Sequence, residues 1–262
     1  MSILYFVISF FSSVIGAISG IGGGIIIKPV LDASTDLNVG AIGFLSGCTI
    51  LAMSSVSLLR NWKESSALDF KCSSILSIGA IAGGISGNFI FNLIRDILGR
   101  DAILSTIQSG TLLFLTAGVL IYILNKSRIQ TKYIHGFAVR LIIGIILGAI
   151  SAFLGIGGGP MNIAILYYFF SMDAKTSALN SLYIIFFSQL ASLVAAFAQQ
   201  KVPQVDLLVL ALMIIGGITG ALLGSKISSR ISVRRVEEFF CVLMIFIIGI
   251  NIYNIIKFSL LI

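Results

Sequence analysis

Eight stretches of this sequence carry no charged residue: Met1–Ile27, Leu37–Leu59, Cys72–Ile94, Ala102–Asn125, Leu141–Met172, Thr176–Gln200, Leu207–Ser225 and Phe239–Ile256. The shortest holds 18 residues, and about 20 apolar residues wound as a helix cross the roughly 30 Å of hydrocarbon in a bilayer. In lipid every backbone N–H and C=O must find a partner inside the chain, so helices are the natural solution. The expected fold is an all-α polytopic membrane protein of eight hydrophobic segments, placed in the cell membrane. Composition agrees: 58% of the 262 residues are hydrophobic and 10% are charged, against about 25% charged in soluble domains. A soluble globular enzyme, a disordered tail and a disulfide scaffold are excluded.

The net charge of +7 does not point to nucleic acid, because the basic residues fall in short clusters between apolar runs. That pattern is what positive-inside topology produces. Cys48, Cys72 and Cys241 form no CxxC pair and have no metal-ligand spacing, so they are expected to be lipid- or helix-facing thiols. No metal and no cofactor is expected. His135, the single histidine, falls in a basic loop and is expected at the surface. The first run lacks a basic flank and a small-x-small cleavage site, so it is expected to be a retained segment and not a signal peptide.

The chain repeats itself. Gly20-Ile21-Gly22-Gly23-Gly24 recurs as Gly155-Ile156-Gly157-Gly158-Gly159, and the preceding Gly16-Ala17-Ile18-Ser19 recurs as Gly148-Ala149-Ile150-Ser151. Asp69 and Asp206 each precede a segment in which Gly79, Gly83 and Gly87 align with Gly216, Gly220 and Gly224. Gly118 and Tyr122 align with Gly249 and Tyr253. These correspondences divide the chain into two four-segment membrane repeats, 1–130 and 131–262.

Charge tests how the repeats sit in the bilayer. If all eight segments cross, Lys and Arg split nine against eight between the faces, with no bias. If the first two segments of each half make one net crossing, because one is re-entrant, the split becomes eleven against four, with Lys28 and Lys175 unassigned. The second arrangement obeys the positive-inside rule. It gives each half an odd number of crossings, so the halves are expected to be inverted, as in many secondary transporters.

The glycines divide by spacing. Gly79/Gly83/Gly87 and Gly216/Gly220/Gly224 recur every fourth residue on one helical face, as close helix packing requires. The adjacent glycines of GIGGG make no such stripe, and each costs a helix about 1 kcal/mol relative to alanine. Broken helices are expected there, restarting near Gly24 and Gly159, with Pro160 suited to a first helical turn. Half-helix starts present free amides and positive dipole ends, which favour an anion. The candidate substrate-binding set is Gly22, Gly23, Gly24, Ser46, Gly157, Gly158, Gly159, Asn162, Asn180, Ser181 and Gln189. No acidic residue lies deep in any run, which argues against a carboxylate proton relay. Lys28, four residues past the first break, either attracts an anion or snorkels to the interface beside Asp32.

The stretches GIGGGIIIKPVL (Gly20–Leu31) and GIGGGPMNIAILYYFFSMDAKTSALNSL (Gly155–Leu182) resemble the TauE/SafE family of sulfite and organosulfonate exporters, also called the toluene-sulfonate uptake permease family. The resemblance extends over essentially the whole chain. The stretch that follows each half-helix in the family looks like Ala41–Leu45 and Ala178–Leu182. Gly43-Phe44 stands where the family commonly has a hydroxyl pair, and Lys28 where an apolar residue is usual. The resemblance implies alternating-access transport of a small sulfur-containing anion: sulfite, thiosulfate or an organosulfonate. The anion is expected between the two half-helix ends, with Asn162, Asn180 and Ser181 completing its shell. A negative-inside potential favours anion exit by about 2.3 kcal/mol per charge per 100 mV, so export needs no coupled ion.

The expected partners are a small anionic substrate and the lipid bilayer, not nucleic acid; homo-oligomerisation is left open. The rival readings are a passive anion channel and a non-transporting membrane assembly protein. An intramembrane enzyme is a distant third. Ser19 has no histidine within the bilayer to activate it, and the sequence holds no HExxH motif.

Overall fold

A computed structural model describes residues 2–61 and 68–261. Lys63 and most of the Asn61–Asp69 loop, used in the charge argument, lie outside the described residues. Among the described residues there are ten α-helices: α1 (Ser2–Ser19), α2 (Gly24–Ser34), α3 (Val39–Asn61), α4 (Phe70–Leu98), α5 (Asp101–Asn125), α6 (Phe137–Leu154), α7 (Gly159–Phe170), α8 (Ala174–Ala198), α9 (Leu207–Ser228) and α10 (Val233–Ser259). All except α2 and α7 are long and apolar enough to cross a membrane. The two short helices arise where the glycine clusters cut the runs Met1–Ile27 and Leu141–Met172. This is an all-α, multi-pass membrane protein.

Several helix starts follow from local sequence. Asp69 accepts a hydrogen bond from the Cys72 amide (2.9 Å), Asp173 from Thr176 (2.8 Å) and Asp206 from Leu208 (2.8 Å). Each carboxylate satisfies an amide that the first turn of α4, α8 or α9 leaves without a helical partner.

Long-range contacts give the helix directions. Gly216 packs on Phe6 and Ser9, and Gly224 on Val14 and Ala17, so α1 and α9 run parallel. Gly79 packs on Leu141, and Gly87 on Ala149, so α4 and α6 do likewise. In these contacts a Cβ on Gly83 would sit 2.1 Å from the Ile145 carbonyl oxygen, and one on Gly220 2.3 Å from that of Phe10. The glycine stripes therefore let two pairs of backbones touch.

One apolar cluster gathers Ile8 of α1, Leu31 at the end of α2, Ile42 at the start of α3 and Val209 at the start of α9. Helix α1 thus leaves, and α2 returns to, the same face, called here the terminal face. A second cluster gathers Leu76 of α4, Phe170 at the end of α7, Met172 before α8, and Ile184. It lies at the other end of the bundle, where Ser225 near the end of α9 meets Ser57 near the end of α3. Helices α6 and α7 form their hairpin from that face. Arg60, Lys71, the 126–136 linker, Arg140 at the start of α6, Lys175 and the α9–α10 turn lie there. Arg95, Arg100, Lys201 and Lys257 lie at the terminal face.

Polarity is distributed as lipid demands. Ile78, Phe89, Phe114, Ile142, Phe197 and Ile245 are exposed, whereas Ser12, Thr49, Ser57, Asn162, Asn180 and Gln189 are buried. Apolar side chains outside face hydrocarbon, and polar groups are gathered inside, away from the lipid.

Candidate functional site

The two glycine loops meet at the centre of the bundle. Gly22 (φ 82°), Gly157 (77°) and Gly158 (111°) lie in left-handed conformations that side chains other than glycine rarely adopt. These turns reverse the chain, so α2 and α7 begin inside the protein. Neither start is capped by a side chain. A Cβ on Gly24 would lie 2.5 Å from the Ile156 carbonyl oxygen, so the loops are in backbone contact. Ile50 of α3 borders Gly22, Gly24 and Gly157, and Ile185 of α8 borders Gly22 and Gly158.

The loops differ in what surrounds them. The Gly23 amide donates to the Met53 sulfur at 3.2 Å, and Ser19 donates back to the Ile15 carbonyl in its own helix. Around the second loop, Gly157, Gly158, Asn162, Ser151 and Ser188 face one another across a narrow crevice that is closed to a bound molecule in this conformation. Asn162 Oδ1, Ser151 Oγ and Ser188 Oγ are buried without a hydrogen-bond partner. Buried polar groups are normally paired, and three unpaired ones around one pair of glycines mark a place that a polar guest can occupy once the two loops part. Two hydroxyls, the Asn162 Nδ2 and the amides at the start of α7 can donate to an oxyanion without fixing an ion in the membrane.

A larger vestibule of about 680 Å³, open mouth included, leads toward this loop from the terminal face. Gly40 and Gly43 of α3, Asn88, Asn92 and Arg95 of α4, Gln108 of α5, Ser192 of α8 and Lys201 form its walls. Gly155, Lys28 and Gln189 lie among its inner residues. A Cβ on Gly47 would lie 3.1 Å from Gln189 Oε1, and one on Gly157 3.5 Å from Gln189 Nε2. Gln189 thus stands between the vestibule and the glycine loop. The three vestibule cations have aspartate partners: Lys28–Asp32 at 3.1 Å, Arg95–Asp101 at 3.1 Å and Lys201–Asp96 at 2.7 Å. Among the described residues no group of His, Cys, Asp or Glu is arranged to hold a metal ion.

The structure brings Gly22, Gly23, Gly24, Gly157, Gly158, Gly159, Asn162 and Gln189 to this centre. It does not bring Asn180 there. The Asn180 carboxamide oxygen accepts from the Asp69 amide (3.1 Å) and from the Ser73 hydroxyl, and its Nδ2 donates to Thr176 O (2.7 Å). It ties α8 to the start of α4, a role that takes the amide away from the shell expected for it. Ser46 and Ser181 are buried with unpartnered hydroxyls but border neither cavity. Ser151, Ser188, Gln108, Asn88, Asn92 and Ser192 are additions to the sequence-derived set. Asn88/Asn92 and Ser188/Ser192 are four residues apart, so each pair lies on one helix face, a polar stripe visible in the sequence. Lys28 does not snorkel: it is 3% exposed.

Residues 5–252 match the family described as Sulfite exporter TauE/SafE. Two relatives from Bacillus subtilis (strain 168) are similar along nearly their whole length. Probable membrane transporter protein YjnA is 24% identical over 253 aligned positions, covering 90% of this chain and 94% of the relative. Probable membrane transporter protein YunE is 20% identical over 267 positions, covering 94% and 95%. No solved structure matches. With eight apolar helices around a glycine-built centre and a family match over nearly the full length, the chain belongs to the TauE/SafE family of membrane transporters.

Proposed function

We propose that this protein carries a small sulfur-containing anion, such as sulfite, thiosulfate or an organosulfonate, out of the cell by alternating access. The observation that carries this reading is the set of unpartnered buried groups, Ser151, Ser188 and Asn162, around Gly157–Gly158 at the start of α7. The anion binds there, and Gln189 hands it to the vestibule. The units that rock are the inverted halves 1–130 and 131–262. Their corresponding hairpins, α1–α2 and α6–α7, start from opposite faces, which supports this division. The basic face is the cytoplasmic one by the positive-inside rule, so the vestibule opens outward and serves release.

Touching glycine loops, with Ile50 and Ile185 against them, favour a carrier over a passive channel, because the loops must part before an ion can pass. Purified protein in proteoliposomes tests the reading. Expected is saturable efflux of radiolabelled thiosulfate or sulfite, accelerated by a negative-inside potential. Flux that rises linearly with concentration would favour the channel, and no flux of either anion would reject the proposal.

A further inference from the structure

Helix α2 carries a charge pair in an unusual place. Lys28 Nζ donates to Asp32 Oδ2 at 3.1 Å, one helical turn away, and the two side chains are 3% and 4% exposed. Isolated charges in such a setting are costly, and pairing offsets this only where the remaining polar atoms are also satisfied. Here they are not: Asp32 Oδ1 is buried without a partner. The pair is therefore incompletely compensated, and it lies beside cavities. Lys28 lines the inner vestibule, with its Cδ and Cε 3.6 and 3.9 Å from where a Cβ on Gly155 would stand. Asp32 lines a separate pocket at the terminal face.

The surroundings fix the backbone of α2 at its end without engaging the Asp32 carboxylate. From α10, Lys257 donates to the Asp32 and Ala33 carbonyls at 2.9 and 3.2 Å, and Asn254 donates to Pro29 O at 2.9 Å, so the end of α2 is clamped. From α5, Asp101 borders the Asp32 pocket while paired with Arg95 of α4; Asp36 borders it from the α2–α3 loop. The Lys28 chain, in contrast, lies along Gly155, where the missing side chain leaves the vestibule side open.

We propose that Lys28 is the anion-recognition cation of the vestibule and that the transported anion displaces Asp32 as its partner. This rests on the transport reading and assigns it a selectivity residue. With Asp32 bound, the inner vestibule carries no net charge from this pair. An oxyanion passed outward from the glycine loop takes the ammonium in a charge-assisted hydrogen bond, and the Asp32 side chain turns toward its own pocket, which Lys257 also lines. The exchange makes anion binding a competition between two carboxylate-like ligands for one ammonium.

Calorimetric titration of detergent-purified protein with thiosulfate and with methanesulfonate tests this. Asp32→Asn removes the competitor and is expected to bind about tenfold more tightly; Lys28→Gln is expected to bind about tenfold or more weakly, and Lys28→Arg to recover most of the affinity. The double variant Lys28→Gln/Asp32→Asn leaves no unpaired buried charge, so it tests the role without the folding penalty of either single change. Its weak binding, with a wild-type elution profile, supports the proposal; wild-type affinity in the double variant overturns it while leaving the transport reading intact. Wild-type protein that binds neither anion overturns the transport reading and this inference with it.

Discussion

Gly24 and Ile156 mark the point at which the two glycine loops touch: a methyl group on Gly24 would lie 2.5 Å from the Ile156 carbonyl oxygen and 2.1 Å from Ile50 Cδ1. Two half-helices from different parts of the chain thus begin side by side in the middle of the protein. The contact leaves no room for a side chain, and its partner on one side is backbone, which cannot rotate away.

Gly24→Ala is therefore expected to lower stability by about 1–3 kcal/mol through overpacking and to reduce anion flux more than expression. Gly110→Ala and Gly118→Ala on α5 serve as controls. A Cβ there meets nothing within 4 Å, and alanine favours a helix over glycine by about 1 kcal/mol. Thermal unfolding in detergent should rank Gly24→Ala below wild type and both α5 variants at or above it.

The stripe glycines are expected to respond through helix pairing. Gly83→Leu and Gly220→Leu each push a side chain into a facing carbonyl, 2.1 Å and 2.3 Å from the position of the first carbon. Both should abolish a monodisperse elution profile in size-exclusion chromatography. Retention of a wild-type profile by either would contradict the backbone contacts of α4 with α6 or α1 with α9.

Asn162 and Asn180 are expected to separate binding from stability. Asn180→Ala removes the acceptor of the Asp69 amide and the Ser73 hydroxyl, which should cost about 1–3 kcal/mol and lower the unfolding temperature. Asn162→Ala deletes a carboxamide whose oxygen has no partner, so it should cost little stability, while loss of the Nδ2 donor should weaken anion binding. The reverse pattern would move the site away from Gly157–Gly158.

Gly158→Ala adds strain at φ 111° and places a carbon 2.5 Å from Asn162 Nδ2. Binding in this variant is expected to fall below that of Asn162→Ala, since both the loop and the carboxamide shift. Equal binding by Gly158→Ala and wild type, measured by the same titration, would show that the loop takes no part.

At the basic face, Lys126 donates to the Tyr167 hydroxyl at 2.7 Å and pairs with Glu237, to which Tyr167 also donates at 2.7 Å. Partial burial pushes the Lys126 ammonium down, but the hydrogen bonds with Glu237 and Tyr167 outweigh it and the net shift is upward from 10.5. A raised folded value means that the stabilisation is complete below 10.5 and is lost as pH rises through the higher folded value. The gap in unfolding temperature between wild type and Lys126→Met should hold constant from neutral pH to mildly alkaline conditions. It should close only in strong alkali.

Much of this protein is legible without coordinates because the bilayer restricts the choices. Charge-free runs locate the crossing helices, Asp69 and Asp206 mark helix starts, and the GIGGG clusters mark where α2 and α7 begin. The spacing of Gly79, Gly83 and Gly87 predicts a close contact, although it does not name α6 as the partner. Asn180 shows the opposite limit. A carboxamide in an apolar run is equally suited to a ligand or to a distant helix terminus, and only the position of Asp69, more than 100 residues away in sequence, decides between them.

The sequence by itself determined a membrane protein with two interrupted helices, because lipid forbids unsatisfied backbone and adjacent glycines cannot sustain a helix. The tertiary structure alone decided which polar groups lack partners and which cations face a cavity. Ser151, Ser188 and Asn162 come from three helices, and Lys28 of α2 meets Gly155, which lies between α6 and α7. Pairing, burial and access are properties of groups brought together from separate parts of the chain, and no local pattern records them.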